Sequence, residues 1–224
     1  MHTYYSQTLS GERLKLCYEI SPPRVQQYLD AEIEFVLDKM RPSDLVLELG
    51  CGYGRVLQKL VKKANTVIGI DTSYSSLCLA QEMVGGAPSC LILEMNAVEL
   101  GFKQRQFDVI VCIQNGISAF NVDQRNLIEE AMRVTHSGGT VLFSSYSERF
   151  WEDRLEWFRI QSEQGLIGEI DDNATGNGVI VCKDGFRAST VGPRDFLSLI
   201  SGSGVDPLIT EVDNSSVFYE IRIE

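Results

Sequence analysis

The sequence predicts an α/β fold built on a doubly wound, mostly parallel sheet. Three observations predict it: short Val/Ile/Leu runs that are apolar at every position, helical patterns between them, and a glycine-rich turn directly after the first run. A strand that is apolar throughout is buried on both faces, so helices must cover both sides of the sheet, and right-handed crossovers place them there. With 224 residues, 44% hydrophobic and 23% charged, the chain is expected to form one domain over 1–224.

In chain order, Ser21 before Pro22-Pro23 reads as a helix cap with first-turn prolines. Val25, Tyr28, Leu29, Ile33, Val36, Leu37 and Met40 then recur at helical spacing, until Arg41-Pro42 ends the helix. Leu45 to Leu49 is the first strand, and it enters Gly50-Cys51-Gly52-Tyr53-Gly54. Arg55 to Lys63 reads as a helix with Val56, Leu57, Leu60 and Val61 on one face. Thr66 to Ile70 is the second strand, ending in Asp71, and Ser73 caps a helix carrying Leu77, Ala80 and Val84. Ser89 to Glu94, Phe107 to Ile113 and Gly139 to Ser144 are strands three to five, with a helix from about Asp123 to Val134 before the last. Beyond Ser147 the rhythm changes. A helix through Trp151, Leu155, Trp157 and Phe158 precedes a hairpin turning at Asp184-Gly185, a short helix from Pro193, and two final strands, Leu208 to Val212 and Val217 to Ile223.

Ligands of open parallel sheets bind beyond the carboxyl ends of the strands, where Gly50, Gly52 and Gly54 fall. Glycines at alternate positions permit a sharp turn and a close approach to the backbone. A phosphate-binding P-loop requires Gly-Lys-Ser/Thr, whereas Gly54 precedes Arg55-Val56. A dinucleotide loop, G-x-G-x-x-G/A, places Arg55 where a small residue must let the helix pack, which weakens but does not remove that reading. Asp71, at the end of the next strand, has the charge and two oxygens to accept hydrogen bonds from a ribose diol.

Glu48-Leu49-Gly50-Cys51-Gly52-Tyr53-Gly54, Val67 to Asp71, Asn96 to Phe102, Phe107 to Ile110 and Arg133 to Thr140 together resemble the class I S-adenosylmethionine-dependent methyltransferase family, over roughly residues 24 to 145. The resemblance implies a Rossmann-like seven-stranded sheet of order 3-2-1-4-5-7-6, with the last strand antiparallel. It also implies S-adenosylmethionine as cofactor and S-adenosylhomocysteine as product. Carried over by position, Glu48, Gly50, Cys51, Gly52 and Gly54 would surround the methionine part, Asp71 the ribose, and Thr72, Asn96 and Ala97 the adenine. Gln114 would face the methyl-bearing sulfur. In similar enzymes a segment before the sheet closes over the cofactor, so 1–40 is expected to supply a lid and helix. Tyr5 and Arg24 would line the site, with Arg24 pairing with the methionine carboxylate. An insertion at 147–191 would cover the substrate, with Trp151, Trp157, Phe158 and Phe186 as either a pocket wall or internal packing.

A sulfonium is an activated methyl donor, so the protein's task is to align the acceptor with the sulfur–methyl bond by in-line displacement. No catalytic residue is assigned from sequence. His136 lies in a turn, and Ile113-Gln114-Asn115-Gly116 lacks the Asn/Asp-Pro-Pro-Tyr/Phe signature of enzymes that methylate bases or glutamines. Twenty Lys and Arg against 31 Asp and Glu give a net charge of -11, which argues against nucleic acid and for a small-molecule acceptor. Six scattered cysteines without C-x-x-C spacing give no metal site, and no apolar run approaches membrane length. A cytoplasmic monomer or homodimer is expected. A NAD-dependent oxidoreductase of similar fold and a non-catalytic nucleotide-binding protein remain the alternatives.

Overall fold

The structure is a computed structural model that describes Tyr4 and residues 8–224. Helices α1 (Glu12–Glu19) and α2 (Pro23–Lys39) lead into β1 (Leu45–Leu49), the short α3 (Leu57–Leu60), β2 (Thr66–Asp71), α4 (Tyr74–Met83) and β3 (Cys90–Glu94). Then follow β4 (Phe107–Cys112), α5 (Gly116–Ala119), α6 (Gln124–Val134), β5 (Thr135–Tyr146) and α7 (Trp151–Glu163). The ribbon strands β6 (Ile180–Val181) and β7 (Arg187–Ala188) precede α8 (Pro193–Leu199), β8 (Leu208–Val212) and β9 (Ser216–Arg222). The main sheet has the order β3-β2-β1-β4-β5-β9-β8. Strands β1 to β5 are parallel, whereas β9 pairs antiparallel with β5 and with β8. With the separate β6-β7 ribbon set aside, this is the expected 3-2-1-4-5-7-6.

Alternation along the buried strands feeds two cores. Leu47 and Leu49 of β1 and Ile110 and Cys112 of β4 face one layer, with Leu127, Ile128 and Ala131 of α6 and Phe196 of α8. Val46, Val109 and Val111 face the other, with Ile33 and Val36 of α2, Leu57 and Leu60 of α3, and Leu77 and Ala80 of α4. A third core joins the N-terminal helices to the insertion: Cys17, Val25, Tyr28 and Leu29 pack with Tyr146, Phe150, Trp157, Phe158 and Phe186. The Trp157 indole N–H donates to the Cys17 carbonyl (2.8 Å) and Arg13 donates to the Gly165 and Leu166 carbonyls. The two N-terminal helices and the segment after β5 are therefore one packed unit.

Local expectations met mixed outcomes. Ser73 caps α4 by accepting from the Ser76 amide, and Asp123 caps α6 through Asn126. Ser21 does not cap α2: its hydroxyl turns back to donate to the Tyr18 carbonyl (2.6 Å), because Pro22 is the first residue of the turn and α1 lies directly behind it. Strand β5 starts at Thr135 rather than Gly139, since the residues that read as a turn are absorbed by a register shift opposite Phe107 and Val109. Gly139 makes that possible, as a Cβ there would stand 2.9 Å from the Asp108 carbonyl.

At this end of the sheet His136 Nε2 lies 2.6 Å from Asp108 Oδ1, while the other Asp108 oxygen accepts from the Leu45 amide. Asp108 and the Ser137 carbonyl raise the His136 pKa. A raised folded-state value stabilises fully below the unfolded pKa of about 6.5, and the contribution is lost as pH rises through the folded value. We expect His136→Gln to lower the urea midpoint at pH 5.5 and to have much less effect at pH 9. The effect should be modest, because the pair is about one-third exposed.

Candidate active site

A cavity of about 650 Å³ opens over the carboxyl ends of β1, β2, β3 and β4, a size suited to a cofactor-sized ligand. Glu48, Gly50, Cys51, Gly52, Asp71, Thr72, Asn96, Ala97 and Gln114 all line it. The sheet order arranges them in sequence across the opening, with Asn96 after β3, Asp71 on β2, Glu48 on β1 and Gln114 after β4.

The glycine loop is left-handed at three positions, with φ of 72° at Gly50, 51° at Gly52 and 89° at Gly54. Gly54 lies outside the lining. Its Cβ would meet the Ala80 backbone at 2.9 Å, so its absence lets α4 pack on the loop. Asp71 braces the loop: its Oδ2 accepts from the Gly52 amide (2.9 Å) and its Oδ1 from the Ser73 amide (2.8 Å). Burial raises its pKa and those amides oppose the rise. Asn96 Oδ1 accepts from the Val98 amide and holds its own turn.

Glu48 is buried, and its Oε2 has no hydrogen-bond partner among the described residues. Burial pushes its pKa up to about 8, against the pull of Arg55. Arg55 also lines the cavity, with its guanidinium 5.2 Å over the Tyr18 ring, and its Nε and one terminal nitrogen are likewise buried without partners. A buried acceptor and a buried donor fork thus face one cavity without bonding each other through these atoms.

Besides Gly54, one expected site residue among the described ones, Arg24, is not at this cavity. Arg24 bonds the Asp213 side chain (2.5 Å) and carbonyl (2.8 Å), lies 5.1 Å over the Phe150 ring, and takes no part in the lining. Its partner, 189 residues away, wins because a fixed carboxylate beside the guanidinium is present in the folded chain at all times. Tyr5 lies outside the described residues. No residue of 147–191 lines the cavity either: Trp157, Phe158 and Phe186 are buried in the third core, with Trp151 packed against it. Leu14, Tyr18, Tyr53, Arg55, Phe120 and Val122 form the walls instead. A second hollow of about 250 Å³ adjoins it and shares Tyr18, Tyr53 and Arg55.

No helix among the described residues is long and apolar enough to cross a membrane. No group of three His, Cys, Asp or Glu among them is arranged to hold a metal.

Residues 46–139 match the family model for a methyltransferase domain. The chain is similar to the 2-methyl-6-phytyl-1,4-hydroquinone methyltransferase of Synechocystis sp., with 26% identity over 159 residues, 63% of this chain and 49% of that protein. It is also similar to the ubiquinone biosynthesis O-methyltransferase of Pseudomonas fluorescens, with 28% identity over 133 residues, 58% of this chain and 53% of that one. It spans about half the length of each relative. The PH0226 protein of Pyrococcus horikoshii shares the fold over 100% of both chains, with a TM-score of 0.67 at 17% identity. With that domain match, the seven-stranded order and the glycine loop over β1, the chain carries a methyltransferase domain over residues 46–139.

Proposed function

We propose that the chain binds S-adenosylmethionine in the 650 Å³ cavity and transfers its methyl group to a small-molecule acceptor. The observation that carries this reading is the unbonded pair of Glu48 and Arg55. Buried polar groups in folded proteins are normally satisfied, so unpaired carboxyl and guanidinium atoms along one cavity mark a ligand that completes both. An α-amino acid zwitterion does so, its ammonium toward Glu48 and its carboxylate toward the Arg55 fork. Asp71 stands one strand away on β2, where its oxygens retain lone pairs for a ribose diol, and Asn96 and Ala97 follow on the nucleoside side. Amino acid, ribose and base in that order are the parts of S-adenosylmethionine.

Bound there, the cofactor supplies the activated methyl group. Tyr18, Tyr53 and Phe120 line the cavity and exclude water. Quinol-type phenols are the acceptor class that the named relatives suggest. The acidic balance of the chain likewise disfavours a polyanionic substrate.

The test is calorimetric titration of wild type and Arg55→Met with S-adenosylhomocysteine and with 5′-methylthioadenosine, which lacks the amino-acid arm. Wild type should prefer the former, and Arg55→Met should erase most of that preference, about a hundredfold for a bidentate charged contact. Because Glu48 in the free protein titrates near 8, an ammonium beside it lowers that value, and binding near pH 7 should release a proton. NADH binding with no affinity for either adenosyl ligand would overturn the proposal.

A further inference from the structure

We propose that Glu32 is a positioning residue for methyl transfer, holding the left-handed Gln114-Asn115 turn by its backbone so that the Gln114 side-chain amide faces the methyl-bearing end of the cofactor. The proposal rests on the cofactor reading above. Glu32 sits in the middle of α2 and is fully buried, at a position where the helix otherwise presents Val25, Tyr28, Leu29, Ile33 and Val36. A carboxylate is costly there unless it performs a bonding task. Its Oε2 accepts from the Gln114 backbone amide at 2.7 Å, and the Ser144 hydroxyl accepts from the same amide at 2.9 Å.

The residues so held are strained. Gln114 has φ 58° and Asn115 φ 63°. Two consecutive left-handed residues with side chains cost about 1–2 kcal/mol each and persist only where the surroundings over-determine them. Three elements do so here. Glu32 reaches Gln114 from α2. Asn115 donates to the Ser189 carbonyl (3.0 Å), and its Oδ1 accepts from the Ser145 hydroxyl of β5 (2.8 Å). The turn leaves Gln114 Nε2 buried and without a hydrogen-bond partner, at the wall of the cavity.

Sheet order says what that amide faces. β4 lies beside β1 on the side away from β2 and β3. The sulfur joins the nucleoside over β2 and β3 to the amino acid over β1, and Gln114 lines the same cavity from the tip of the neighbouring β4, so a methyl group directed toward β4 meets its side-chain amide. Glu32 itself touches no ligand and acts through Gln114.

The clamp is sensitive to pH. Tyr28 on the same helix, Tyr146 and Ser144 of β5, Ser216 of β9, Cys112 of β4 and Arg55 of the loop surround Glu32. Burial pushes its pKa up to about 7, against the Ser144 hydroxyl, the Gln114 amide, Ser216 and Arg55. The ionised form accepts the amide proton more strongly than the protonated form.

Two measurements test the proposal in wild type, Glu32→Gln and Glu32→Leu. In ¹H–¹⁵N spectra the Gln114 amide should shift with a midpoint near 7 in wild type and stay flat in Glu32→Gln. An amide that is flat in wild type, or titrates equally in Glu32→Gln, overturns the clamp. In calorimetry at pH 8, Glu32→Leu should alter the ratio of S-adenosylmethionine to S-adenosylhomocysteine affinity by about five- to tenfold, the equivalent of one hydrogen bond. Glu32→Gln should restore most of that ratio. A ratio unchanged in Glu32→Leu, with both ligands weakened alike or not at all, reduces Glu32 to a structural part and overturns the proposal. Should wild type bind neither ligand, the cofactor reading fails separately, and a positioning role toward that cofactor falls with it, while the amide titration still reports whether the clamp exists.

Discussion

Replacing Asp71 by alanine should weaken S-adenosylmethionine binding by about a hundredfold or more, a larger effect than loss of any other single polar contact on the nucleoside side. Each hydrogen bond to a charged acceptor contributes about 1.5–3 kcal/mol, and a ribose diol makes two of them to one carboxylate. The structure adds a second cause. Asp71 already accepts from the Gly52 and Ser73 amides, so its removal also frees the glycine loop and the start of α4. Asp71→Asn keeps the side-chain volume and one carbonyl acceptor but loses the charge, and its amide nitrogen cannot accept from the second of the Gly52 and Ser73 amides. It should bind S-adenosylhomocysteine more weakly than wild type yet better than Asp71→Ala, with a melting temperature between the two. Equal affinity for wild type and Asp71→Ala in calorimetric titration would place the nucleoside elsewhere.

Much of this frame is legible from residues alone, and the reasons are local. The strands declare themselves because a doubly covered strand must be apolar at every position, as Val67, Ile68 and Ile70 of β2 are. The glycine loop is legible because left-handed turns with close contacts exclude side chains. Features decided by distant partners are not. Arg24 carries the right charge for the cofactor's carboxylate, but Asp213 meets it from the turn between β8 and β9. Helix α1 has no side-chain cap and buries only Cys17, so it lacks the apolar stripe that would announce it. Contact with Trp157 and α4 settles its place. Arg55 was visible as a residue too large for a dinucleotide loop, yet its presence in the cavity depends on Tyr18 from α1. Glu32 had a readable signal: a carboxylate at the i+4 position from Tyr28 on an otherwise apolar face.

The largest stability loss is expected from Gly54→Ala. Two costs add at this position. With φ at 89°, an alanine backbone is strained by about 1 kcal/mol or more. Its Cβ would also stand 2.9 Å from the Ala80 Cα and 3.3 Å from the Ala80 carbonyl oxygen. Those atoms belong to the helix backbone and cannot swing aside as a side-chain tip can, so α4 must shift. Overpacking of that kind costs about 1–3 kcal/mol, for a sum near 3 kcal/mol against the 5–15 kcal/mol that typically holds a domain together. Gly85 is the control, since its φ is 60° but nothing lies within 4 Å of its Cβ position. Gly85→Ala therefore carries the conformational cost alone. Urea denaturation of the two variants should differ by about 2 kcal/mol, the part due to packing. If Gly54→Ala loses no more stability than Gly85→Ala, the contact with Ala80 is not what requires glycine at the end of the loop. A shift of α4 also moves Ser73, whose amide Asp71 accepts. The same variant should therefore weaken adenosyl-ligand binding although Gly54 lines no part of the cavity, a coupling that Gly85→Ala should not show.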